Sequence, residues 1–78
     1  MMKRAEILAI IEDLAGTPPG SATESQVLME FGEWDSLAGS EFRVAVAETW
    51  GVKLSGVAME QVQTVGDMLA LLRPHLDD

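Results

Sequence analysis

Apolar residues recur at helical spacing in three stretches of this 78-residue chain, and no segment alternates long enough to make a strand. Residues 3–14 put Ile7, Leu8, Ile11 and Leu14 on one face with Ile10 beside them, and turn Lys3, Glu6, Glu12 and Asp13 away. The run Ala15 to Ser21 holds two prolines and two glycines, so it ends that helix and opens a long irregular connection. Within the connection, Ser21 and Glu24 have the spacing of a capping box, and Val27, Leu28, Met29 and Phe31 form a short apolar patch that folds onto the core. Residues 36–50 read as a second helix with a core stripe of Phe42, Ala45, Val46, Thr49 and Trp50. Asp35 is suited to cap its start and Gly51 to be the left-handed residue past its end. Gly39 weakens its first turns by about 1 kcal/mol relative to Ala.

Val52 and Leu54 then return to the core. Ser55 caps a short turn, Gly56 to Gln61, that brings Val57 or Met59 inward. Thr64 with Asp67 three residues on makes a capping box for the last helix, whose inner face is Val65, Met68, Leu69 and Leu72; Pro74 follows its end. The expected fold is all-α: a single domain over residues 1–78, three main helices and one short one, with a long loop after the first. Its expected core includes Leu8, Ile11, Phe42, Val46, Trp50, Leu54, Val62 and Leu69.

Composition narrows the function. Thirteen acidic and five basic residues give a net charge of −8. That disfavours nucleic acid and anionic membrane surfaces, both of which call for Lys and Arg, and favours basic protein partners. With 47% hydrophobic residues the acidity belongs to a folded surface. There is no cysteine, hence no disulfide and no thiolate metal site, and the expected location is a reducing cytoplasm. No apolar run approaches the roughly 20 residues of a membrane span, and acids interrupt the N-terminal stretch, so neither a span nor a signal peptide is expected.

The candidate chemistry lies in Phe31-Gly32-Glu33-Trp34-Asp35-Ser36-Leu37. It puts a serine hydroxyl at the first turn of a helix, just after a loop. The chain has one histidine, His75, near the C-terminal end beside Pro74, and no second obvious catalytic group. A small helical domain offers no oxyanion pocket for a serine triad. The pattern suits a serine that is modified, with no catalytic residues and no metal.

Helix, Gly/Pro loop, Asp35-Ser36-Leu37, acidic helix, short helix and last helix together resemble the acyl carrier protein family across nearly the whole chain. Glu41-Phe42 stands in the place of the family's Glu-Leu, Glu48 has an aromatic two residues on, and Val62-Gln63-Thr64-Val65 is similar to the segment leading into the family's last helix. The resemblance implies a four-helix bundle of acyl-carrier type. It also implies 4′-phosphopantetheine from coenzyme A joined to Ser36 through a phosphodiester, with Asp35 and Leu37 flanking it. The implied partners are a phosphopantetheinyl transferase and acyl-loading and acyl-processing enzymes with basic docking patches, the carrier itself being a monomer. A thioester carrier needs a thiol, and a chain without cysteine has to import one. A helix N-terminus also favours an anion such as the phosphodiester.

On α-helical geometry Leu37, Ser40, Glu41, Val44 and Glu48 fall away from the Phe42/Val46/Trp50 stripe. Leu37 and Val44 among carboxylates make a docking face, with Glu33 and Asp35 steering. From Glu24 to Glu48 there are six acids and one base, Arg43. Arg43 inside this helix, Ala38 and Ala47 where the family often has acids, and Trp34 before the motif depart from the family pattern. The Glu33-Trp34-Asp35-Ser36-Leu37 form looks more like a discrete carrier of a specialised pathway than the housekeeping fatty-acid carrier, and the expected setting is polyketide, fatty-acid or related specialised biosynthesis. The alternatives are an aminoacyl or peptidyl carrier, whose approach to the serine is usually richer in glycine and less acidic, and an unmodified acidic interaction module.

Overall fold

A computed structural model describes residues 1–78. It contains four α-helices: α1 (Arg4–Ala15), α2 (Ser36–Trp50), α3 (Gly56–Glu60) and α4 (Val65–Leu72). One-turn 3₁₀ segments lie at Leu28–Glu30 and Arg73–His75, and there are no strands beyond two isolated bridges. The expected all-α bundle of three main helices and one short one is what forms, and α1 packs against both α2 and α4.

The caps act as the sequence predicts. The Asp35 carboxylate accepts the Ala38 N–H at 2.9 Å, Ser55 Oγ accepts the Ala58 N–H at 3.0 Å, and Thr64 and Asp67 form a reciprocal box. Gly51 is left-handed at φ 71° and returns its N–H to the Ala47 carbonyl. Asp67 is the most tightly held carboxylate. The N–H groups of Gln63 and then Thr64, each at 3.0 Å, keep its carboxyl below the ordinary 3.8. A depressed folded pKa means that this stabilisation is present above the unfolded value and lost as pH falls through the folded one. The thermal midpoint should therefore fall as pH drops below 3.8. Asp67→Asn should flatten that part of the decline, and a pH–melting series on both proteins checks it.

The core holds Ile7, Ile11, Ala15, Phe42, Val46 and the whole predicted α4 face, Val65, Met68, Leu69 and Leu72. Leu8, Trp50, Leu54 and Val62 pack against it only half-buried. Trp50 is the last residue of its helix, so its indole reaches the rim and borders a small hollow with Met2, Val52 and His75. Several expectations are corrected. Thr49 is exposed, because Val46 already completes the buried turn of α2. Of the two residues expected to turn inward from α3, Met59 does so, as expected, and Val57 is exposed. Ser21–Glu24 forms no helix: Ser21 Oγ bonds the Pro18 carbonyl and closes a turn instead.

Glu12, expected to point outward, is buried at 6% exposure. Its carboxylate accepts the Ala22 N–H at 2.9 Å, which ties the long loop to α1. Met2 is buried as well, through a bridge to Leu76 that runs the two ends of the chain side by side. Of the loop's apolar patch, Leu28 and Phe31 are buried, whereas Val27 and Met29 are exposed.

Candidate functional site

The loop before Ser36 is held from two directions. Its middle is bonded to the start of α4: Leu28 N–H reaches the Gln63 carbonyl, and the Val65 and Gly66 N–H groups reach the carbonyls of Gln26 and Glu24, all within 2.8–2.9 Å. Its end is bonded to α1, where the Glu33 N–H reaches the Ala15 carbonyl at 2.8 Å. Gly32 makes this approach possible. It is left-handed at φ 55°, and a side chain there would run into the Ala15 carbonyl and the Thr17 methyl. Trp34 then drops its indole into the core, 6.2 Å between centroids from the Phe42 ring at a tilt of 59°. That is the range of a favourable edge-to-face pair. The chain thus enters α2 with Trp34 buried at 7% exposure and Asp35 and Ser36 outside.

Ser36 is the first residue of α2 and is exposed. Asp35 occupies the Ala38 N–H, and no intrachain bond involves the N–H groups of Ser36 and Leu37. These two donors and the helix dipole face the region next to the Ser36 hydroxyl, which suits an esterified phosphate there. The cap and the candidate attachment point are therefore different residues. His75 lies beside Trp50 and Val52, at the far end of α2. Fifteen residues of helix put about 22 Å between the two ends, so Ser36 and His75 form no dyad.

The expected docking residues divide into two groups. Leu37, Glu41, Val44 and Glu48 are all exposed at helical spacing along α2, with Leu37 at 65% and Val44 at 55%. Glu33 is exposed too, but it sits on the approach loop, its carboxylate against Gly16 at the end of α1. A cleft of about 400 Å³ opens next to Ser36. Gly39, Ser40 and Arg43 of α2 form one wall, and Leu28, Met59 and Val62 lie among the residues lining the rest. Helical spacing from Ser36 places Ser40 and Arg43 on the hydroxyl's own side of α2, which was the available signal. The opposing wall was not legible, because it comes from elements distant in sequence.

Comparison with known proteins bears on the same residues. The family model described as "Phosphopantetheine attachment site" matches residues 5–72. An acyl carrier protein of Rhodococcus erythropolis is 29% identical over 88% of this chain and 76% of its own length. A meromycolate extension acyl carrier protein of Mycobacterium tuberculosis is 30% identical over 88% of this chain, which spans 60% of that relative. The protein of the same description from Mycolicibacterium smegmatis is 29% identical over 88% of this chain and 70% of its own.

Proposed function

The chain belongs to the acyl carrier protein family, the non-catalytic phosphopantetheine-bearing shuttles of fatty-acid- and polyketide-type biosynthesis, and from that premise we propose that Ser36 is the attachment residue of a single carrier domain over residues 1–78. The observation that carries the proposal is an exposed serine hydroxyl at the first residue of α2, beside two unbonded backbone N–H groups and a cleft. In the transfer Ser36 Oγ loses its proton and displaces adenosine 3′,5′-bisphosphate from the pyrophosphate of coenzyme A, becoming an ester oxygen of the phosphodiester. The bound group supplies the thiol on which an acyl group rides as a thioester. Asp35 keeps the first turn closed. Leu37 and the cleft flank the ester, and the cleft offers cover to a bent arm. Incubation with coenzyme A and a phosphopantetheinyl transferase should add the mass of one arm, and peptide mapping should place it on Ser36. An unchanged mass would favour the unmodified interaction module. Loading by an adenylating enzyme with an amino acid in preference to any acyl donor would favour the peptidyl-carrier reading.

The family works with a phosphopantetheinyl transferase and with biosynthetic enzymes. We place their docking on the α2 strip of Leu37, Glu41, Val44 and Glu48, with Glu33 and Asp35 adding to the field. Two exposed apolar side chains give a partner pocket something to bury, and the carboxylates meet a basic rim. Glu41→Lys and Glu48→Lys should each slow transfer of the arm roughly tenfold or more at low salt, since rim charges act on association rate. The thermal midpoint should hardly move, because both side chains are exposed. Added salt should slow the wild type more than the reversed variants. Transfer kinetics at two ionic strengths decide it, and equal salt dependence throughout would move the docking face to the Val27–Trp34 loop. The relatives described as meromycolate extension acyl carrier proteins make an extension pathway one to try.

A further inference from the structure

Three of the five basic side chains make no ion pair. Lys3 bonds Asp77 and Arg4 bonds Glu24, while Arg43, Lys53 and Arg73 have no carboxylate within reach. Lys53 and Arg73 are exposed and solvated, whereas Arg43 is half-buried. Its Nε–H donates to the Leu54 carbonyl at 3.0 Å, which pins the guanidinium against the loop after α2. Nη1 lies 3.7 Å from the point where a Cβ on Gly56 would stand, so the group spans from α2 to the first residue of α3. A guanidinium carries five N–H donors in a fixed fork, and Leu54 uses one. The remaining donors belong to a side chain that lines the same cleft as Ser36. In a chain of net charge −8, a fixed and half-buried cation facing a cleft is half of an ion pair.

Seven residues separate Ser36 from Arg43, two helical turns on one side of α2 and about 10 Å along the axis. The Arg43 guanidinium is held on the Leu54 side by the Nε–H bond, so a ligand that meets it extends from Ser36 along the cleft. Met59, Val62 and Leu28 offer that ligand an apolar wall. The cleft therefore combines a surface for methylenes with one anchored fork for a planar anion. Guanidinium and carboxylate fit each other bidentately.

We propose that Arg43 is a specificity residue that favours acyl cargo ending in a carboxylate. The proposal rests on the reading that Ser36 carries the arm. Methylenes of such a cargo lie against Met59 and Val62 while its carboxylate takes the free donors of Arg43. A plain alkyl chain in the same place displaces water from those donors and returns no acceptor, so it is disfavoured. Glu60 also lines the cleft and opposes an anion there, but it is exposed and beyond ion-pair distance of Arg43.

The test loads the full chain from adipyl-coenzyme A and from hexanoyl-coenzyme A, which differ in the terminal carboxylate. The wild type, Arg43→Gln and Glu60→Gln are compared with unacylated holo-protein. In the wild type the adipyl form should shift the Arg43 Nε–H resonance and the Gly39 and Met59 amides, and the hexanoyl form should leave Nε–H where the holo-protein has it. The adipyl thioester should hydrolyse about threefold to fivefold more slowly in the wild type than in Arg43→Gln, the size a partly exposed ion pair allows. The hexanoyl thioester should hydrolyse no more slowly in the wild type than in Arg43→Gln. Glu60→Gln should widen the adipyl effect. Matching adipyl and hexanoyl behaviour in the wild type overturns the proposal, and so does an Nε–H shift already complete in holo-protein, which would mean that the arm's own amides occupy the fork. Amide spectra of the unloaded variants show whether Arg43→Gln keeps the fold. Failure of Ser36 to load at all is a distinguishable result: it refutes the attachment site, and the role of Arg43 falls with it.

Discussion

Ser36→Ala is expected to take up no phosphopantetheine under conditions in which the wild type is fully converted, and to melt no lower than it and at most about 4 °C higher. The first half follows from chemistry, since alanine has no oxygen to esterify. The second half follows from the division of labour at the start of α2. The helix is capped by the Asp35 carboxylate on the Ala38 N–H, and the Ser36 side chain makes no hydrogen bond to the rest of the chain. Alanine is also the better helix former by a few tenths of a kcal/mol. Asp35→Ala is the complement: it keeps the hydroxyl but loses the cap, at a cost of about 0.5–2 kcal/mol. Intact mass and a melting curve on both variants separate the roles. Arm transfer to Ser36→Ala would refute the attachment site, and a large loss of its stability would show that the hydroxyl has a structural bond.

Phe42→Ala is expected to cost about 3–5 kcal/mol, the range for a large side chain removed from a core. Phe42 is fully buried, at 0% exposure, at the middle of α2. Its ring meets the Trp34 indole, so the cavity would open beneath the residue that sets the path into Asp35 and Ser36. A domain of this size has a modest margin of stability, and the variant should sit near its unfolding midpoint at room temperature. Denaturant titration measures the loss directly. Phe42→Leu should recover most of it, because the volume is largely kept. Full recovery of stability in Phe42→Leu with slow arm transfer would show that the Trp34 contact positions the Ser36 loop beyond its share in packing.

Much of this was written in local pattern. The caps at Asp35, Ser55 and Thr64, the left-handed Gly51 and the inner face of α4 each depend on residues within a few positions of one another, and all form as the sequence predicts. The exposure of Leu37, Glu41, Val44 and Glu48 follows from the 3.6-residue period alone. Local pattern misleads where apolar and charged residues share one helix face. Glu12 follows Ile11 and precedes Ala15 by three, so its angle lies inside the buried arc of α1, and its charge argued the other way. Burial wins there because the Ala22 N–H is waiting for an acceptor. In the last turn of α2 Thr49 is exposed, and Trp50 packs against the core while only half-buried.

The sequence by itself determined the helices, their ends and the serine at the start of α2, because propensity, capping and periodicity act over a turn or two of chain. It also carried the family, since Asp35-Ser36-Leu37 stands at a helix start in an acidic chain of matching helix order. Only the tertiary structure decided how the long loop runs. Gly32 had to meet Ala15, Leu28 had to meet Gln63, and Glu12 had to meet Ala22, and these pairs are set by how α1, α2 and α4 pack. The cleft beside Ser36 has the same origin. Arg43 is an isolated base in the sequence; the Leu54 carbonyl and the start of α3 turn it into a fixed cation on a wall, a property that exists only once the chain after α2 folds back toward it.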